Sequence, residues 1–243
     1  GIAWRGKEGF YYSKYKEVEG SLLSVKTDQH LLMYHKIGTS QREDQVIFGD
    51  IQKRRYVYGY TTEDGQYLVI NAANSTSGDE LYVQKLGTAA SPITLVAPGF
   101  EYDYNVLDHQ NDTLYISTNF NAPNQKLVKA SIRNPGPEHW IDVISESAEA
   151  ASFTTGSGYI FATLLKDACT AVYQYDYNGK LVRTISLPDK GTVSGLSGKR
   201  KDTILYYTFT NYITPGAIYS YNPKTGISKL HFKSNIAFNP EEY

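Results

Sequence analysis

The sequence predicts an all-β protein, on three observations. Tyrosine is very frequent, 22 residues in a chain of 243, and Val, Ile, Thr and Phe are common; such side chains fit the half-buried pleated surface of a sheet. No stretch carries apolar residues at the i, i+3, i+4, i+7 spacing that gives a helix one buried face. Short alternating runs are instead separated by turn residues. In residues 198–226 a run over 203–209, a Pro215-Gly216 turn, a run over 217–221 and an Asn-Pro-Lys-Thr-Gly turn follow one another, the order expected of an antiparallel meander. So small a sheet cannot cover both of its own faces, and it needs neighbours of the same kind.

Those neighbours are in the sequence. A short strand of alternating character, often centred on Tyr, recurs over residues 31–38, 80–87, 126–132, 171–176 and 217–222, a period of about 45–50 residues. Ahead of each lies a hairpin around a polar turn: 4–15 turning at Gly6 to Gly9, 56–73 at Glu63-Asp64-Gly65, 102–120 at Gln110-Asn111-Asp112, 151–165 at Gly156-Ser157-Gly158, and 193–212 at Lys199 to Asp202. After each comes a further short strand, over 45–48, 93–96, 140–144, 181–187 and 228–232. Four strands in each of five repeats predict a β-propeller of four-stranded antiparallel blades, a single domain over 1–243 with blades near 1–50, 51–98, 99–146, 147–190 and 191–243. A solenoid of hairpins is the competing architecture, and its repeats are shorter.

Charge and cysteine content narrow the function classes. The 24 basic and 25 acidic residues nearly cancel, and the largest basic clusters, Lys53-Arg54-Arg55 and Lys199-Arg200-Lys201, read as solvated turns, so no nucleic-acid partner is expected. The single Cys169 excludes an internal disulfide framework and a cysteine zinc site within one chain, and reads as a small packed residue. No apolar run approaches the ~20 residues of a membrane helix, and no signal peptide opens the chain. The compartment, cytoplasm or periplasm, is left open. The start at Gly1-Ile2-Ala3-Trp4 reads as the inside of a strand, with residue 1 as a cut.

No reactive centre is visible. The serine-containing runs at Gly191 to Gly198 lack the G-x-S-x-G spacing and the following helix of a nucleophile elbow. His30, His35, His109, His139 and His231 are spread over three of the repeats without metal-ligand spacing and read as surface or strand histidines. Glu101, Asp103 and Asp108 are candidate inward carboxylates of a propeller glycosidase, with solvated strand-edge positions as the alternative. No catalytic residue, metal or cofactor is predicted.

Several stretches resemble a known family. Gly9-Phe10-Tyr11-Tyr12-Ser13-Lys14-Tyr15 followed by Leu32 to Asp44, LMYHKIGTSQRED, is similar to the prolyl oligopeptidase family, where a blade ends in a pattern like Y-Y-H-K-L-G-T-x-Q-x-E-D. Glu63 to Ile70 with Thr76 to Tyr82 resembles the next blade, and Ser197 to Asp202 with Phe209 to Tyr219 the last. The resemblance covers essentially the whole chain. It implies five blades of a seven-bladed propeller that caps an α/β-hydrolase domain and admits short peptides, with the Ser-Asp-His triad in that missing domain and the junction near Asn239 to Tyr243. It also implies that Tyr56, Ala73 and Thr76 occupy positions where other members line the distal substrate pocket with Met, Arg and Cys. This sequence departs from all three.

The reading is therefore a non-catalytic, gating propeller segment of a serine-type prolyl endopeptidase. Its implied partners are the hydrolase domain of the same polypeptide and short peptides. A free-standing five-bladed binding or scaffold module is the alternative. Removing two blades from seven would bare two apolar sheet faces, so the five blades are expected to close into a smaller ring, or two chains to pair through their open faces.

Overall fold

The computed structural model describes residues 1–16, 28–87 and 91–234, so the expected junction at Asn239 to Tyr243 lies outside the described residues. Twenty strands form five separate four-stranded antiparallel sheets, each taken in chain order. The first holds β1 (Ile2–Arg5), β2 (Gly9–Tyr15), β3 (His30–Lys36) and β4 (Gln45–Phe48); the second β5 (Tyr56–Thr61), β6 (Tyr67–Ala73), β7 (Glu80–Lys85) and β8 (Ile93–Ala97). The third holds β9 (Tyr104–Gln110), β10 (Thr113–Thr118), β11 (Lys126–Ser131) and β12 (Ile141–Ile144). The fourth holds β13 (Ala151–Gly156), β14 (Tyr159–Lys166), β15 (Cys169–Tyr175) and β16 (Leu181–Thr184), and the fifth β17 (Thr192–Ser197), β18 (Leu205–Thr210), β19 (Ala217–Asn222) and β20 (Ile227–Lys233). The repeat read from the sequence is thus the sheet repeat, and β19 matches its predicted bounds.

Compactness divides the chain into two units, residues 1–120 with 129–141, and residues 121–128 with 142–243. In the first unit Tyr11, Leu32 and Phe48 of one sheet pack on Val57, Leu68, Ile70, Ala72 and Tyr82 of the next. In the second, Phe161, Val172 and Ile185 pack on Val193, Leu205, Tyr207, Phe209 and Tyr221. Each fully buried Leu, Ile or Phe contributes about 1.5–3 kcal/mol relative to its exposed state. Four consecutive residues of β6, Tyr67 to Ile70, are buried, because this inner strand is covered on both faces. In β18 buried and exposed or half-buried positions alternate along the whole strand, as they must where only one face is covered.

Edges are managed in the same way from sheet to sheet. The pairing of the third strand with the fourth is interrupted by a register shift at Leu32/Met33, Leu81/Tyr82, Gln174/Tyr175 and Ile218/Tyr219. Such a bulge twists the outer strand and spoils it as a template for another chain. The first strands are protected differently, by side chains reaching from the preceding sheet. Val57 of β5 has its N–H accepted by His30 Nδ1 at 3.1 Å and its carbonyl bonded by Ser13 Oγ at 2.7 Å. Val106 of β9 has both groups met by one hydroxyl: Tyr60 Oη accepts its N–H at 2.9 Å and lies 3.3 Å from its carbonyl oxygen. In the second unit Thr170 Oγ1 accepts the Val193 N–H at 3.1 Å and Thr154 Oγ1 donates to the Leu196 carbonyl at 2.6 Å.

A comparable clamp holds the predicted Asn-Pro-Lys-Thr-Gly turn. Gln174, wholly buried, donates to the Pro223 carbonyl at 3.0 Å and accepts from Tyr221 Oη at 2.5 Å, and Arg183 donates to the Lys224 carbonyl at 3.0 Å. Gly226 is required by its φ of +77°, and a Cβ there would also displace the Arg183 guanidinium, 1.9 Å away.

Every sheet is an open four-stranded ladder, and none pairs strand to strand with another among the described residues. Ile2 and Trp4 on the first sheet are exposed, and so are Tyr206 and Phe232 on the fifth.

Replacing Tyr60 by Phe removes the acceptor of a buried N–H while keeping the ring. Chemical denaturation is expected to show a loss of about 1–3 kcal/mol, against a change within about 0.5 kcal/mol for Tyr206→Phe on the exposed face.

Candidate functional site

The three positions singled out by resemblance lie at one end of the second sheet. Tyr56 opens β5 and Ala73 closes β6, and the two are direct partners across the ladder. Thr76 follows on the exposed loop before β7. Tyr56 is half-buried, with the Arg55 guanidinium 5.3 Å from its ring centroid and the ring of His30 edge-on at 6.1 Å. Ala73 is half-buried and offers no polar group beyond its backbone.

This end is held by two polar networks that the sequence did not mark. The first is a bidentate ion pair: Arg54 Nε and Nη2 donate to the two Glu80 oxygens at 2.7 and 2.9 Å, and Tyr82 Oη donates to Glu80 at 3.0 Å. The guanidinium also donates to the Lys53 carbonyl and lies 5.2 Å from the centre of the Phe100 ring. Burial and the Glu80 carboxylate push the Tyr82 hydroxyl up to about 12. Lys53 and Arg55 are exposed, as the composition of the cluster suggested, whereas Arg54 between them is turned inward onto a buried carboxylate.

The second network centres on Asp79. Asn71 Nδ2–H donates to one of its oxygens and the Tyr104 N–H to the other at 3.1 Å, while Asn71 also donates to the Tyr104 carbonyl at 2.8 Å. Asp103 accepts the Gly78 N–H at 2.8 Å and an Asn119 amide hydrogen at 3.2 Å, and its own N–H reaches Asn119 Oδ1 at 2.7 Å. The loop cannot carry a larger residue at Gly78, where φ is +73° and a Cβ would stand 1.7 Å from the Phe100 oxygen. Burial raises the Asp79 carboxyl to about 6 despite these donors, and the Asp103 charge adds to the rise.

Two of the candidate glycosidase carboxylates, Asp103 and Asp108, are not brought together. Glu101 caps the Phe100 N–H at 3.0 Å, Asp103 is committed to the loop clamp, and Asp108 accepts the His109 N–H at 2.7 Å. Asp103 precedes β9 and Asp108 lies near its far end, about 16 Å along an extended strand. That exceeds the roughly 5–9.5 Å separation of an acid and base pair acting on one glycosidic bond.

His30, His35 and His109 are strand histidines, as expected. His30 and His109 are buried, at 9% and 5% exposure. His109 bridges to Asp64 at 2.9 Å and to the Asn111 carbonyl at 3.0 Å, and His35 bonds Asp44 at 2.7 Å beside the Tyr12 hydroxyl at 2.6 Å. His35 and Asp44 are the H and D of the motif that carried the resemblance, so the motif marks a structural lock. No group of three or more metal-ligating side chains occurs among the described residues. Cys169 is half-buried at the start of β15. A cleft of about 410 Å³ lies beside β4, lined by Val46 to Gln52 with Tyr82 and Ile93, and none of Tyr56, Ala73 and Thr76 lines it.

Comparison with known proteins places this arrangement. Residues 1–233 match the family model described as prolyl oligopeptidase, N-terminal β-propeller domain. The chain belongs to that family. It is 50% identical over 245 residues to a prolyl endopeptidase of Elizabethkingia meningoseptica and 47% identical to one of Elizabethkingia miricola, in each case over the whole of this chain and 35% of the relative. A solved structure from work on two prolyl endopeptidases superimposes with a TM-score of 0.87 at 27% identity, covering 99% of this chain and 36% of that one. The chain thus spans about a third of the length of the relatives it matches, in the region of their N-terminal propeller. Among the described residues no helix is long and apolar enough to cross a membrane.

Two outcomes are expected from the networks. Glu80→Ala leaves the Arg54 charge half-buried and unpaired and should cost about 2–4 kcal/mol by denaturant titration, whereas the double replacement Arg54→Met with Glu80→Leu should cost less. Asp79 is protonated more readily in the folded chain than in the unfolded one, so its contribution is fully present below about pH 4 and is lost as pH rises through about 6. The denaturation midpoint of Asp79→Asn, relative to the parent, should therefore improve between pH 4 and pH 7.

Proposed function

We propose that this chain is the propeller part of a prolyl oligopeptidase-type serine peptidase, and that it governs the access of short proline-containing peptides to a catalytic α/β-hydrolase domain of the same polypeptide. The observation that carries the reading is the 50% identity to a prolyl endopeptidase along the whole chain. Identity at that level, together with the family match over residues 1–233, supports a single propeller domain and the same division of labour. The propeller supplies binding and exclusion, and the nucleophile, base and orienting acid come from elsewhere.

Tyr56, Ala73 and Thr76 are assigned to the peptide-facing end of the second blade. Their adjacency supports this: two are ladder partners and the third is exposed on the next loop. An alanine and a threonine cannot supply the cationic donor that other members carry at these positions, which leaves Arg55, 5.3 Å from the Tyr56 ring, as the cation at this end. Tyr56 then provides contact area more than charge.

A segment exchange tests the proposal. Residues 1–233 placed in the Elizabethkingia meningoseptica prolyl endopeptidase, in exchange for its matching segment, should give an enzyme that cleaves short proline-containing peptides and spares folded proteins. Tyr56→Ala in that chimera should raise KM several-fold with kcat little changed, as removal of ground-state contact does. A folded chimera that cleaves peptides and folded proteins alike would contradict the gating role.

A further inference from the structure

His30 opens β3 among three tyrosines. Its ring centroid lies 4.1 Å from that of Tyr15, its partner across the β2–β3 ladder, 6.1 Å from Tyr56 and 6.3 Å from Tyr58, the last two edge-on. The imidazole is buried, whereas Tyr15 and Tyr58 are 39% and 51% exposed. Two large aromatic faces are thus left open beside a sequestered polar ring.

The state of that ring follows from its one backbone contact. Nδ1 accepts the Val57 N–H at 3.1 Å and so carries no hydrogen, and burial, its largest influence, holds the ring below its ordinary pKa and therefore neutral. A neutral imidazole with Nδ1 bare carries its hydrogen on Nε2. This N–H meets no acceptor among the described residues. A donor left free beside exposed tyrosine rings has the components by which aromatic-lined grooves recognise extended, proline-containing segments, the donor taking a main-chain carbonyl and the rings packing on the apolar side chain.

We propose that Tyr15, His30 and Tyr58 form a subsite for an extended peptide segment, in which His30 Nε2–H donates to a main-chain carbonyl and the tyrosine rings pack on a proline ring. The proposal rests on the peptide-facing reading of this end and deepens it, adding three residues outside the Tyr56, Ala73 and Thr76 set. His30 has both roles at once, since the Val57 bond that protects the strand edge also fixes the tautomer that presents Nε2–H.

The test is a titration of the 243-residue chain with a blocked hexapeptide containing one proline, and with the same peptide carrying alanine instead, followed by proton–nitrogen spectra of the histidine side chains and by tyrosine ring shifts. Saturable movement of the His30 Nε2–H and of the Tyr15 and Tyr58 rings is expected, with the alanine peptide weaker. Tyr58→Ala, at a half-exposed position, should weaken binding about tenfold while leaving the Val57 amide shift in place as a check on folding, and Tyr15→Ala should act likewise. Saturable binding that leaves His30, Tyr15 and Tyr58 unmoved would overturn the subsite while sparing the wider peptide reading. No saturable binding of either peptide up to millimolar concentration would overturn both.

Discussion

The structure depends on satisfying the open edge of each first strand. A first strand has a partner on one side only, and its other edge presents main-chain donors and acceptors that cannot be buried unpaired without costing about 1–3 kcal/mol each. At β5, β9 and β17 the partners are side chains of the preceding sheet: His30 and Ser13 on Val57, Tyr60 on Val106, and Thr170 and Thr154 on Val193 and Leu196. The apolar interfaces supply most of the driving force, but they are tolerant of small slips. A hydroxyl 2.9 Å from one particular N–H is not, so these bonds fix the register of one sheet on the next within each unit.

The same constraint explains what could be read from the sequence and what could not. Strand positions were legible because alternation and turn chemistry are local: the meander over 198–226, the hairpin 56–73 and the strand 217–222 all appear where patterning put them. Bridging residues were not legible. Ser13, Tyr60, Thr154 and Thr170 are ordinary strand residues, and their partners lie 23 to 46 positions away, so nothing nearby marks them. Arg54 failed for a related reason. Its neighbours are exposed basic residues, and only the fold shows Glu80 waiting 26 positions on. Asp79 follows Ser77-Gly78 and precedes an apolar strand, but its raised pKa comes from burial that composition cannot report.

The candidate site was legible in part. Tyr56, Ala73 and Thr76 were named by resemblance, and the ladder brings the first two together. The buried His30 beside them was read only as one of five scattered histidines, because its tyrosine neighbours come from β2 and β5, on either side of it in sequence. The H and D of the family-like motif were taken as signs of kinship, and the structure gives them a physical task as the His35–Asp44 lock with Tyr12. The residues that carry the family-like motif are accordingly ones that lock the first sheet.

Amide hydrogen exchange at Val57, Val106 and Val193 tests the central claim most directly. If side chains of the preceding sheet close the edges of the first strands, these three amides exchange as slowly as those of the inner strands β6 and β18, through global unfolding. Exchange at the rate of exposed loop amides, with the inner strands still protected, would show that the edges are open and that the sheets are held by apolar contact alone.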